Sequence, residues 1–510
     1  MIELAPAELW TAAQAAAADR HTIEALGVPS PVLMERAALC VSAEVERVAD
    51  ACGATRVLVL VGPGNNGGDG LAVARQLHGR GRSVTAVLVT PPRNAAAEQQ
   101  LGLARAHGVA LAEELPELGP ATVIVDALLG TGSRGAPRGA IEQALRWVAA
   151  QASPVVAIDL PSGIEVDTGA VAGVAARAQT TVTFQRSKVG LHLTPARALV
   201  GRVVVADIGL VEPPGEGAEH RTELIGPSWI AQQLSSLPSA AHKGSRGHVG
   251  VVGGTGGTPG AAVLTGMAAL RAGAGLASLA VADEQLRRTL LEVRPELMLA
   301  EREDPWVASA GVLVVGPGLT DASRRAGLAE LDRADRRPMV WDASALAELV
   351  PGASAGPRIL TPHPGEAAQL LARIEGDPSW TSARVQADRR SAAEQLARAC
   401  AAIVVLKGAG TIVARSVGER VQLAICTTGG PALATAGSGD VLAGAIAALL
   451  ARGLNEWAAT CVAVHVHGLA GDAAPIDGAL ALDVADGLPA ALARARAAAA
   501  PGRWPSYVRG

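Results

Sequence analysis

Two glycine-rich stretches carry the residues best suited to chemistry. Residues 57 to 70 read VLVLVGPGNNGGDG, a run of branched apolar residues leading into a segment with five glycines, two asparagines and one aspartate. Glycine lets backbone N–H groups turn inward without a Cβ clash, and a helix expected to begin near Leu71 adds roughly half a positive charge at its free end. The combination is an anion cradle. A second one lies far along the chain at Gly437-Ser438-Gly439-Asp440, opening the apolar helix VLAGAIAALL. Two such segments imply two separate sites for phosphorylated ligands.

In an open parallel sheet, ligands sit at the carboxyl ends of the strands. Past the first strand come Asn65, Asn66, Gly67, Gly68 and Asp69. Past the third come Asp126 and the loop Gly130, Thr131, Gly132, Ser133, Arg134, Gly135 and Ala136; past the fourth come Asp159 and Ser162. Each acid alone could be a helix cap or turn residue. Together, carboxylates mixed with neutral oxygens are what a hard cation prefers, and a cation would relieve repulsion between Asp126 and a phosphate. GPGNNG and GTGSRG both satisfy GxGxxG, but a dehydrogenase needs an acid ending the second strand, and here Thr90-Pro91-Pro92 stands there. Hydride transfer is disfavoured.

In the second half, Asp440 follows a glycine pair at a helix start, where backbone N–H groups can stabilise a transferring phosphoryl group while its carboxylate accepts the proton of an attacking hydroxyl. Lys407, in VLKGAGT, ends a strand and enters a glycine turn suited to nucleotide contact. TPHPGE presents His363 and Glu366 at another strand end. His465 and His467 do not share a helix face at i and i+2, so a structural role is expected. The only lysines are Lys188, Lys243 and Lys407; in an arginine-rich chain lysine could be kept where a compact ammonium is needed.

The elements that would position these residues follow from periodicity. Residues 7 to 50 read as two amphipathic helices broken by Pro29 and Pro31. Strands are expected at 57–61, 84–89, 122–129, 154–160, 181–184 and 203–209, with intervening helices. Proline, glycine and charge without periodicity then place a linker at 213–223. A second series follows, with strands at 248–254, 276–282, 311–318, 338–344, 358–364 and 402–408. The expected fold is α/β in two domains, residues 1–212 and 224–510, each with a parallel sheet and crossover helices. A net charge of −4 with no basic run argues against nucleic acid. Five cysteines without metal spacing, no signal peptide and no apolar run of membrane length lead us to expect a cytoplasmic chain with no membrane partner. We also expect a homo-oligomer.

Over most of its length the chain resembles the bifunctional NAD(P)H-hydrate repair enzymes, an epimerase domain fused to an ADP/ATP-dependent dehydratase domain. GPGNNGGDG, VDALLGTG and IDLPSG match the first half; GGTGGTPGAA, RAGAGL, VGPGL, TPHPGE, LKGAGT and GSGD match the second. The resemblance implies a Rossmann-like, doubly wound N-terminal domain and a ribokinase-like α/β/α C-terminal domain. It implies that Asn65 to Asp69 and residues 130 to 136 hold the hydrated nucleotide (NADHX or NADPHX), with Asp159 beside the reacting ring as acid/base, and potassium on Asn66, Asp126 and Ser162. Lys188 falls where the family commonly carries a lysine and is taken as catalytic. In the second domain Ala261, Gly318, His363 and Asp440 would contact the hydrate. Lys407, Gly408, Ala409, Gly410, Thr411 and Gly439 would contact ADP or ATP, which brings magnesium. The competing reading is a small-alcohol kinase fused to a nucleotide-binding α/β module.

Overall fold

The structure, a computed structural model, describes residues 7–119, 121–214, 220–234, 239–255, 257–281, 284–300, 304, 306–352 and 354–497. The chain divides into two compact units, one built from residues 8–218 and the other from residues 219–502.

The strands of the N-terminal unit are β1 (Ala7–Trp10), β2 (Arg56–Val61), β3 (Ser83–Leu88), β4 (Ala110–Ala112), β5 (Thr122–Ala127), β6 (Val155–Ile158), β7 (Thr180–Phe184), β8 (Ser187–Lys188) and β9 (Arg202–Ala206). Its seven-stranded sheet has the order β4-β3-β2-β5-β6-β7-β9, parallel at every pairing. The order reverses between β2 and β5, and that switch point opens a crevice at the carboxyl ends of the strands. Both faces are covered, which is why β2 is apolar almost throughout. Val57, Val59 and Val61 pack with the helices Ser30–Cys52 and Asn65–Gly79, while Leu58 and Leu60 pack with the helix Gly139–Ala149.

Two local expectations change. The segment expected to be a glycine loop is already helix: Asn65–Gly79 starts six residues before Leu71. Its glycines serve close packing, since a Cβ on Gly67 would lie 2.0 Å from the Gly62 carbonyl oxygen and one on Gly70 would lie 2.4 Å from the Ala127 Cβ. Residues 7 to 50 also hold more than the two expected helices, namely a strand before them and a short π-helical turn, His21–Ala25, after the first. Ala7–Trp10 is a strand pairing parallel with β8 at Leu9 and Trp10, ahead of the helices Ala12–Arg20 and Ser30–Cys52. Pro31 sits in the first turn of the latter, where its missing N–H costs nothing.

The C-terminal unit contains β10 (His220–Leu224), β11 (His248–Val252), β12 (Leu276–Leu279), β13 (Met298–Leu299), β14 (Val312–Val315), β15 (Met339–Trp341), β16 (Arg358–Leu360), β17 (Ile403–Leu406), β18 (Thr411–Val417) and β19 (Arg420–Cys426). They lie in the order β13-β12-β11-β14-β15-β16-β17-β18-β19-β10. Pairing is parallel from β13 to β17 and antiparallel across the β17-β18-β19 hairpin region. β10 closes on β19 in parallel, so the expected linker at 213–223 runs into a strand at His220, its residues 215–219 lying outside the described set. Helices Pro259–Arg271, Ser438–Ala451, Glu456–Ala473 and Ala481–Ala497 contribute to one core with alternate strand residues such as Val249, Val312 and Val314. Leu313, Val315 and Leu360, on the other side of the pleat, are buried as well. The architecture is a two-domain α/β fold, with a doubly wound, Rossmann-like parallel sheet in the first half and a mostly parallel sheet closed by an antiparallel hairpin in the second.

Candidate active sites

In the N-terminal unit a cavity of about 680 Å3 opens where the sheet order reverses, lined by Asn65, Asn66, Asp69, Thr131, Asp159 and Lys188 among others. Asp159 directly follows β6 and adopts φ 67°, a left-handed conformation that aspartate tolerates better than most side chains. Its Oδ1 accepts hydrogen bonds from Lys188 Nζ at 2.8 Å and Thr183 Oγ1 at 3.1 Å, and its Oδ2 accepts one from the Thr131 N–H at 3.4 Å. Lys188 is buried; besides Asp159 it donates to Thr183 Oγ1 at 2.8 Å and the Phe184 carbonyl at 3.0 Å. Its three N–H groups therefore all end on protein.

A second cluster sits beside this one. Asp126, fully buried at the end of β5, accepts from the Ser162 N–H at 2.8 Å, Ser162 Oγ at 2.7 Å and the Leu128 N–H at 3.2 Å. Burial pushes its carboxyl above the usual range, with these bonds pulling the other way. Asn66 Nδ2 donates to the Leu129 carbonyl at 2.9 Å, and the Leu129 N–H donates to Ser162 Oγ at 2.9 Å. One carboxylate, an amide, a hydroxyl and a backbone carbonyl thus converge. Such a set has the all-oxygen, weakly charged character that suits a hard monovalent cation.

The remaining residues expected here are placed as follows. Asn65 opens the helix and accepts from Asn94 Nδ2 at 3.0 Å. Gly68 faces Met34 and Ala97, and Gly67 faces Gly62, so both pack inward. Gly130, Gly132 and Ser133 line the cavity with Thr131, and Arg134 pairs with Glu165 at 3.2 Å. Gly135 and Ala136 border an adjoining hollow.

In the C-terminal unit the strand ends again supply the functional groups. Gly437, at φ 91°, turns the chain into the helix Ser438–Ala451 and places Asp440 in its first turn. Lys407, just past β17, sets Nζ 2.8 Å from Asp342 Oδ1 and 3.8 Å from Glu366 Oε2. Asp342 follows β15 and also accepts from Thr361 Oγ1 at 2.7 Å. A Cβ on Gly439 would lie 3.2 Å from Lys407 Nζ and 3.8 Å from Asp342 Oδ2, so the helix start rests on this ion pair. Burial and then the charge of Asp342 push the Asp440 carboxyl up to about 7, against the opposing charge of Lys407. Burial would lower Lys407, but Asp342, Glu366 and Asp440 outweigh it and hold the ammonium above its ordinary value.

His363 caps the helix Pro364–Glu375: its Nδ1 accepts from the N–H groups of Gly365 and Glu366, and Glu366 Oε2 accepts from the His363 N–H at 2.8 Å. With Nδ1 committed as acceptor, the neutral ring carries its proton on Nε2. Gly318, at φ 62°, leaves space that a Cβ would lose to the Thr258 carbonyl and the Ala261 Cβ. The turn from Lys407 to Thr411 is pinned by buried Arg389, which donates to the carbonyls of Leu406, Lys407 and Ala409; the Thr411 hydroxyl donates to the Gly408 carbonyl, and Gly410 has φ 74°. His467 Nε2 lies 2.9 Å from the Ser438 carbonyl, and burial pulls its ring down to about 4, so a neutral imidazole steadies the helix start.

Sequence reading missed Asp342, Arg389, Thr183 and Asp19, the last of which lines the N-terminal cavity with Asp69 and Asp159. Asp342 was detectable by the same strand-end rule that selects Lys407. Nothing local marks Arg389, Thr183 or Asp19, whose placement comes from packing of other elements.

Comparison with known proteins agrees with this division. Residues 249–488 match the family described as NAD(P)H-hydrate dehydratase, and residues 30–190 match the one described as YjeF-related protein N-terminus. The bifunctional NAD(P)H-hydrate repair enzyme Nnr of Moorella thermoacetica is 37% identical, covering 91% of this chain and 92% of its own. Its Escherichia coli counterpart is 36% identical, covering 92% and 90%. Among solved structures, the ADP/ATP-dependent NAD(P)H-hydrate dehydratase of Bacillus subtilis, co-crystallised with ATP and Mg2+, is 27% identical with a TM-score of 0.48, covering 53% of this chain and 98% of its own. With two sites on two sheets, and relatives matching it across nearly its full length, the chain belongs to the family of bifunctional NAD(P)H-hydrate repair enzymes.

Proposed function

We propose that the chain repairs hydrated NADH and NADPH, the N-terminal unit interconverting the R and S forms at C6 and the C-terminal unit dehydrating the S form at the expense of ADP or ATP. The observation that carries this reading is the Asp440 carboxyl, raised to about 7 by burial and Asp342 at the start of a helix, with the Lys407 ammonium close by. A base poised near neutrality can take the proton of the C6 hydroxyl as its oxygen attacks the terminal phosphorus of the nucleotide. The bond to the leaving phosphate oxygen breaks, giving AMP from ADP or ADP from ATP. The ring nitrogen lone pair then expels phosphate from C6, and loss of a proton from C5 restores the dihydronicotinamide. Backbone N–H groups of the Gly439 turn and the Lys407 ammonium neutralise the transferring group.

In this reading Ala261, Gly318 and His363 contact the hydrate, and Lys407 to Thr411 with Gly439 contact the nucleotide. Asp342 is committed to Lys407 and Thr361, and Glu366 to Lys407 and His363, so magnesium would be held chiefly by the nucleotide phosphates and water. In the N-terminal site Asn65 to Asp69 and residues 130 to 136 hold the hydrated nucleotide, with Asp159 as acid/base and Lys188 keeping its carboxylate in place. Potassium would rest on Asn66, Asp126 and Ser162, supplying positive charge beside the ligand's phosphates. A cytoplasmic homo-oligomer completes the reading.

Purified protein given both hydrate epimers and ADP should recover the full dihydronicotinamide absorbance. Asp440→Asn should abolish recovery yet still interconvert the epimers, and Asp159→Asn should dehydrate S and leave R behind. A requirement for a small alcohol in place of the hydrate, with no turnover by ADP, would instead identify a kinase.

A further inference from the structure

Asp69 belongs to the segment given above to the hydrated nucleotide, and its carboxyl is the acid of the N-terminal cavity to which that reading assigns no chemical step. It is the fifth residue of the helix Asn65–Gly79, beyond the position from which a side chain caps a helix start. It is 9% exposed, it lines the same cavity as Asp159 and Lys188, and among the described residues no group donates a hydrogen bond to its carboxyl. Its oxygens are not among the fully buried polar atoms that lack a partner, so with no protein donor they face the cavity, where a ligand can meet them. Burial first, then the charges of Asp159 and Asp19, hold it well above the usual carboxylate range. Lys188, by contrast, has its N–H groups on Asp159, Thr183 and Phe184 and has none to give a ligand. The cavity thus holds one carboxyl paired with an ammonium and one with neither cation nor donor beside it, two environments that push proton affinities apart as in an acid/base pair.

We propose that Asp69 is a second catalytic residue of the N-terminal site, the proton donor that works with Asp159. The inference rests on the epimerisation reading. Asp69 passes its proton to the C6 hydroxyl oxygen, the C6–O bond breaks, and the ring nitrogen lone pair forms the C6=N1 bond as water leaves. Water then adds to the opposite face of C6, the π pair returns to nitrogen, and the surplus proton of the added water goes to Asp159. Exchange with solvent moves that proton off Asp159 and restores one to Asp69. In the reverse direction the two carboxyls exchange roles.

The test uses the full chain with Asp69→Asn, which keeps shape and a hydrogen-bond donor but cannot release a proton. For interconversion of the epimers, kcat should fall about a hundredfold or more while KM stays within about threefold. Dehydration of the S form, measured in the same preparation, should match the unaltered chain and reports that the variant is folded. In water enriched in 18O, the unaltered chain should place the label at C6 of the epimerised product faster than in its absence. A raised KM with kcat retained would reduce Asp69 to a binding contact and overturn the proposal, as would epimerisation by the unaltered chain without 18O uptake. If the unaltered chain interconverts no epimers, the functional reading itself fails.

Discussion

Single carboxyls set the behaviour of both sites. Asp440 must be ionised to act as a base, and burial with Asp342 raises it to about 7, so kcat/KM for dehydration should climb with pH up to about that value and level off above it. Replacing it with asparagine should cost about 10² to 10⁴ in rate, the usual yield of a positioned general base. The same shift works against the fold. A carboxyl whose folded value lies above its ordinary 3.8 favours the folded state fully at low pH, and that advantage is lost as pH rises toward about 7. Asp440→Asn should therefore stabilise the protein at pH 8 by roughly 1–2 kcal/mol, allowing for solvent screening, and should gain nothing at pH 4. Urea unfolding at the two pH values measures this; equal midpoint shifts would contradict it. Of the residues in these sites, Asp126, Asp159, Lys407 and Asp440 were legible because each ends a strand or opens a helix. Asp342 obeys the same rule and went unread, whereas Asp19 and Thr183 reach their sites only through packing.

At the level of elements, the helix Asn65–Gly79 shows why glycine content alone misleads. The glycines suggested a loose loop, yet the structure uses them to bring a helix against β2 and β5. Gly70 is the sharpest case, since an added methyl would meet Ala127 Cβ at 2.4 Å and Val59 Cγ1 at 3.2 Å. Gly70→Ala should destabilise by about 1–3 kcal/mol through overpacking. Gly79→Ala, in the same helix with nothing within 4 Å of the new carbon, should instead stabilise by about 0.5–1 kcal/mol. Thermal unfolding of the two variants should shift in opposite directions. The strands were mostly legible to within a few residues because buried parallel strands are continuous apolar runs. The β18-β19 hairpin and short β4, β8 and β13 were not, since two or three residues carry no period and the hairpin interrupts the expected strand and helix alternation.

At the scale of the molecule, each activity has its own sheet, switch point and set of strand-end residues, so the proposed reactions should be separable and diffusible. An equal mixture of Asp440→Asn and Asp159→Asn chains, each unable to convert the R form completely, should together restore its conversion to dihydronicotinamide with ADP. Failure of the mixture, with each variant retaining its remaining activity, would mean that substrate cannot leave one chain for another. The sequence alone determined the two-domain α/β layout, the run of crossover units and the motif residues that place the chain in its family, because apolar periodicity and strand-end chemistry are local properties. Only tertiary structure decided which groups face one another: that Lys188 spends its protons on Asp159, Thr183 and Phe184, that Asp342 pairs with Lys407 beside Asp440, and that Asp69 faces the cavity without a donor among the described residues. Burial and charge pairing depend on residues distant in the chain, and these are what set a carboxyl's proton affinity.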